Sequence, residues 1–127
     1  PWAVGMMDSR RTPGWATLTH HDAALGCLLE AGFSLGLTGH AFALLDAHLY
    51  GFLLQELALP FDGGGAELEE VAAGVMASIP EGTLPWFRRF TLEHALQPGY
   101  DFGDEFDVGL ELVIEGLAAR LAAEQAG

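Results

Sequence analysis

Two short stretches hold ionisable side chains that could do chemistry. His20, His21 and Asp22 run consecutively, and Asp46 and His48 sit within LLDAHLYGFLLQE, the apolar run from Leu44 to Glu56. A carboxylate–histidine metal bundle needs paired Glu-x-x-His motifs, so that both ligands of each pair project from one helix face. The chain has no such pair, and neither cluster has that spacing; no metal or other cofactor is expected. GFSLG, Gly32 to Gly36, matches the G-x-S-x-G pattern of a serine-hydrolase elbow. That elbow follows a strand, whereas here a helical pattern ends at Gly32, so Ser34 is expected to cap a helix. Gly63 to Gly65 are not followed by Gly-Lys-Ser/Thr, and the chain contains no lysine, which argues against a phosphate loop and nucleotide hydrolysis.

What remains is a set of polar residues among apolar ones. His21 shares a helix face with Leu18, Leu25 and Leu28, and Asp46 shares one with Phe42, Leu49 and Leu53, by three-, four- and seven-residue steps. Both groups should point inward, whereas His48 faces elsewhere. A buried polar group needs a partner. Either a neighbouring side chain or carbonyl supplies it, or the two groups line an apolar cavity and orient a ligand. Trp2, Met6, Trp15, Leu25, Phe42, Leu49, Phe87, Phe90 and His94 are the candidate walls of such a cavity, and each also reads as plain core.

These side chains must be positioned by helices. Proline and glycine divide the chain into helical blocks, with no sustained period-two alternation that would mark a sheet. The expected blocks are a short piece over Pro1 to Ser9, then Trp15 to Ala31, Leu35 to Leu59, Ala66 to Ile79, Pro85 to Gln97 and Phe102 to Glu124. Gly32 is a C-terminal stop, Ser34 a cap and Pro85 a first-turn residue. Asp101, Asp104, Glu105 and Asp107 bring negative charge to the start of the last block, the positive end of its dipole. FDGGGAE reads as a flexible connector. Arg88 and Arg89 read as a solvated helix face, with a salt bridge to the last block as the alternative.

The long block could span a bilayer by length alone. Asp46 near its centre costs about 2.5 to 3.5 kcal/mol on insertion scales, and His40, His48 and Glu56 add to that, so a buried bundle helix is expected instead.

Both long blocks carry small-residue stripes. Gly36, Gly39, Ala43, Ala47 and Gly51 recur at three- and four-residue steps, and Gly109, Gly116 and Ala123 at seven-residue steps. Phe106, Leu110, Val113, Leu117 and Leu121 form a further apolar face on the last block. Small residues let helix axes approach closely. The stripes, with Val113 and Leu117, are read as the interface of a two-fold homodimer built as a four-helix bundle; the alternative is tight packing within one chain.

The whole chain agrees with an all-α domain. Its 127 residues are 50% hydrophobic, enough for one core, and 18 acidic against five basic residues leave a net charge of -13. Nucleic acid and anionic membranes would repel it. A single cysteine, Cys27, forms no internal disulfide; a small core residue in a reducing, cytoplasmic setting is expected. PWAVGMMDSRRT lacks the apolar core of a secretory signal and reads as the end of a helix that begins earlier.

The combination LLEAGFSLGLTGHAFALLDAHLYGFLLQE, followed by GYDFGDEFDVGLELVIEGLAARLAAE, resembles the C-terminal domain of tetracycline-repressor-type (TetR) transcriptional regulators over nearly the whole chain. The resemblance implies an all-helical domain that dimerises through two helices per subunit and holds a small hydrophobic or amphipathic inducer between the others. It implies a helix-turn-helix domain before Pro1, so that DNA would be touched only by that domain. By the family's logic the inducer shifts a population between DNA-competent and incompetent dimers. Where the tetracycline repressor binds its magnesium–drug chelate, this chain has about Asp8, Ala24 and Gln55, so that inducer is not expected. A small helical enzyme or carrier using His21 or His94 as a base, and a solid dimerisation module without a cavity, are the competing readings.

Overall fold

The computed structural model describes residues 13–127. The expected Trp2 and Met6 walls and the helical piece over Pro1 to Ser9 lie outside the described residues. The fold is all-α: α1 (Trp15–Glu30), α2 (Leu35–Ala58), α3 (Gly65–Ser78), α4 (Pro85–Phe90) and α5 (Asp104–Ala126), with one π-helical turn, Thr91–Ala95, continuing α4. None of the described helices is long and apolar enough to cross a membrane.

The chain forms two compact units. One joins the chain up to Leu53 with Gly109–Gly127, and the other is Leu54–Val108. In the first, α1 ends where Gly32 takes φ +94°, a conformation cheap only for glycine. Its N–H reaches the Leu29 carbonyl, and the Phe33 N–H reaches Leu28. This closing pattern brings residues on either side of the turn together, and Leu28 and Phe33 both pack on Leu37, Ala41 and Leu117, with Val113 and Leu121. The ends of α1 and α2 and the C-terminal part of α5 thereby share one core. Ser34 caps α2 as expected: its Oγ accepts from the Leu37 N–H at 3.1 Å. The same hydroxyl donates to Glu124 Oε1 at 2.9 Å, tying the start of α2 to the end of α5.

In the second unit Leu68 and Ala72 are the buried apolar residues of α3, and Thr91 is buried in the π-turn. The FDGGG segment is not the loose connector that its composition suggested. Gly64 pairs with Asp101 in an isolated antiparallel bridge, and the Phe102 N–H donates to the Gly63 carbonyl at 2.9 Å. Gly63 has φ +71°, and a methyl group there would come within 2.6 Å of Asp101 Oδ1, so glycine is required for two reasons.

Three further expectations are corrected here. Arg88 is half-buried rather than a solvated surface residue, because its guanidinium donates to the carbonyls of Ile79, Pro80 and Thr83 across the α3–α4 turn. Arg89 does face solvent, paired with Glu93 at 2.9 Å. The block from Pro85 does not run as one α-helix to Gln97: the Leu96 N–H reaches Thr91, five residues back, which widens the last turn. Cys27 is exposed rather than part of the core, since its neighbour Leu28 takes the inward position and adjacent helical residues point about 100° apart.

Candidate functional site

The first unit carries a groove along α2 and α5. It encloses about 970 Å³ and is lined by Ser34, Gly36, Leu37, His40 and Leu44 from the start of α2, and by Leu112, Val113, Gly116, Leu117, Arg120, Ala123 and Glu124 from α5. Its apolar wall is not self-contained: Leu44 is 46% and Leu112 65% exposed. Of the expected interface residues, Gly36, Val113, Gly116, Leu117 and Ala123 line it. Val113 and Leu117 turn part of their surface into the chain's own core. Gly39, Ala43 and Ala47 lie exposed on the same helix, with Gly51 half-buried.

The glycines separate into two kinds. A methyl group on Gly36, Gly39, Gly51 or Gly116 would touch nothing outside its own helix. One on Gly109 would overlap the imidazole of His48. His48, on a different side of α2 from Asp46, packs against α5 within this unit, and Gly109 serves that contact between the two long helices of one chain.

A second group of candidates lies on α1 and α2 in the same unit. The His21 ring of α1 stands edge-on to Phe42 of α2, centroids 5.1 Å apart, and both side chains are half-buried. Leu25 and Asp46 are also half-buried. Asp46 therefore keeps partial access to water. Leu49 is exposed, and Trp15, at the first position of α1, is 84% exposed.

Phe87, Phe90 and His94 belong to the other unit. His94, on the π-turn, lies between two rings: Phe90 at 5.1 Å and Tyr100 at 5.2 Å between centroids. Its Nε2 is 3.7 Å from Glu105 Oε1. Partial burial, then the charges of Glu105 and Asp101, push the Tyr100 hydroxyl up from its ordinary pKa of 10.0. Two rings and a carboxylate thus flank an imidazole that stays 54% exposed, an arrangement that can bind or position a ligand.

The family model of the tetracyclin repressor-like C-terminal domain matches residues 1–121. The chain belongs to this family. No curated protein and no solved structure matches it. As a TetR-type C-terminal domain it is part of a class of transcription regulators, and the helical architecture agrees with that membership.

Two parts of this TetR-type domain escaped the sequence reading. Tyr100 and Glu105 lie six and eleven residues from His94 across an irregular loop, where no helical period links them. Arg120 was legible in principle: it stands four residues beyond Gly116 and so on the same face of α5.

Proposed function

We propose that this chain is the effector-sensing and dimerisation domain of a TetR-type regulator, without catalysis of its own, working in the cytoplasm as a homodimer. The observation that carries the dimer is the groove with its uncovered leucines beside glycines that no other described residue approaches. Small residues in an unpacked helix face serve close approach of other helices, and two such helices from each copy make a four-helix bundle. Leu44 and Leu112 would leave water on association.

The effector site we propose uses the half-buried face of α1 and α2, with His21 and Asp46 as polar groups among Leu25 and Phe42. That composition suits a small hydrophobic or amphipathic molecule with a polar end. Phe87, Phe90 and His94 remain a separate candidate group in the other unit. DNA would be bound by a helix-turn-helix domain preceding Pro1, because a net charge of -13 opposes contact with phosphates.

Sedimentation equilibrium combined with a thermal-shift screen of amphipathic metabolites tests this reading. The expected result is a dimer whose melting temperature rises with a specific compound, and a rise that shrinks in Phe42→Ala. A dimer that responds to no compound would leave only the association role.

A further inference from the structure

The groove holds three ionisable side chains, His40, Arg120 and Glu124, and they differ in what they already do. Glu124 is engaged from one side by Ser34, through the hydroxyl at 2.9 Å and the backbone N–H at 3.4 Å. Arg120 has neither an ion pair nor a hydrogen bond with any described residue. This is one of five basic residues against 18 acidic ones, and it is exposed on the groove wall. It lies one turn beyond Gly116 and one turn before Glu124, on the face where α5 is uncovered.

Two chains of charge -13 repel one another as they approach. A two-fold interface presents the same patch from both sides, so each group in one copy that meets a different group in the other does so twice. Glu124 is the only acidic side chain in the groove and Arg120 its only permanent cation. We infer that Arg120 of one copy pairs with Glu124 of the second copy, twice per dimer, and that this pair sets which way two such grooves can join. A carboxylate already held by Ser34 is a fixed target for a planar guanidinium, which limits the ordering that pairing requires. Shifting the register of the two α5 helices by one turn would separate Arg120 from Glu124 and leave both charges without that partner, an unfavourable arrangement if they are buried. The inference rests on the dimer reading above and adds its charge determinant.

Charge reversal in trans tests it on the 127-residue chain by sedimentation equilibrium, with circular dichroism and melting curves to establish folding. Arg120→Glu and Glu124→Arg should each weaken self-association, on the order of tenfold or more. Mixed one to one, the two variants should form a heterodimer near wild-type affinity, because both trans pairs are then restored while each chain's own pair at 120 and 124 remains like-charged. If Glu124→Arg does not fold through loss of the Ser34 contact, Glu124→Gln keeps an oxygen for Ser34 and should weaken association as Arg120→Gln does. Wild-type self-association unaffected by these variants overturns the pair and leaves the dimer reading standing; folded variants that do not recombine also overturn it. A wild-type chain that stays monomeric overturns both. If decanoate then raises its melting temperature only when Arg120 is present, the groove takes an anionic amphiphile instead.

Discussion

The imidazole of His48 lies directly over the bare Cα of Gly109, with a would-be methyl on Gly109 3.3 Å from both ring nitrogens and overlapping the carbon between them. This contact brings α2 and α5 closer than any other residue at position 109 allows. Gly109→Ala should therefore cost about 1 to 3 kcal/mol through overpacking, reduced by the ~1 kcal/mol that alanine gains over glycine within a helix. Urea unfolding of Gly109→Ala, His48→Ser and the double variant measures the coupling. Strict additivity of the two single effects would show that the ring moves aside at no cost and that the glycine is not a packing requirement.

Tyr100 supplies a pH dependence. Its hydroxyl titrates above 10.0 in the folded chain, by burial first and by the nearby Glu105 and Asp101 charges second. Above pH 10.0 the folded state thus holds a proton that the unfolded state has released, so the stability that is intact below that pH falls as pH rises through the folded value. Absorbance at 295 nm should show one tyrosine ionising late, a step missing from Tyr100→Phe, which leaves Tyr50 as the chain's single tyrosine. The phenylalanine variant should also unfold at higher pH. Identical alkaline midpoints for variant and wild type would remove Tyr100 from the account.

How much of this was legible beforehand depends on the range of the interaction. The stop at Gly32 and the cap at Ser34 depend on backbone sterics and hydrogen bonds within five residues, and both stand where the sequence placed them. The apolar face of α5 was readable because helical periodicity is local as well. Glu124 reaching back to Ser34 spans 90 residues, and nothing in either neighbourhood encodes that approach. The same holds for His48, whose position on a different side of α2 from Asp46 says nothing about which helix arrives there. Cys27 failed for a different reason: hydrophobic composition predicts burial on average, but among the described residues Cys27 lies on an exposed side of α1. The π-turn carrying His94 has no propensity signature, since Thr91–Ala95 reads as ordinary helix.

Ser34 joins two roles that substitution can separate. Ser34→Ala removes the acceptor for the Leu37 N–H and the donor to Glu124, and should destabilise the chain by about 0.5 to 2 kcal/mol, the usual range for a lost cap. Ser34→Asn or Ser34→Asp keeps the cap. Asn should recover most of the loss, whereas Asp, set beside Glu124, should recover less because two carboxylates then face each other. Chemical denaturation of the three variants at neutral pH reads this order, and an Asp variant as stable as Asn would mean that Glu124 has moved away from the cap.

Thr38 poses the last case. It is 2% exposed on α2, and its hydroxyl has no hydrogen-bond partner among the described residues, although helical threonines often return a bond to a carbonyl one turn back. Leu37 and Ala41, one and three residues away on the same helix, belong to the apolar core with Leu117. A buried hydroxyl left unpaired loses its water without compensation, at about 1 to 3 kcal/mol, and valine has nearly the same shape with no polar group to desolvate. Thr38→Val should therefore raise stability by about 1 kcal/mol, and Thr38→Ala should lower it by removing a buried methyl group and opening a void. Thermal unfolding of the pair distinguishes two accounts of the hydroxyl. Stabilisation by valine makes it an uncompensated group in the core. Destabilisation by valine as large as by alanine would mean that the hydroxyl bonds to something in solution, and an internal water would then be the first group to seek.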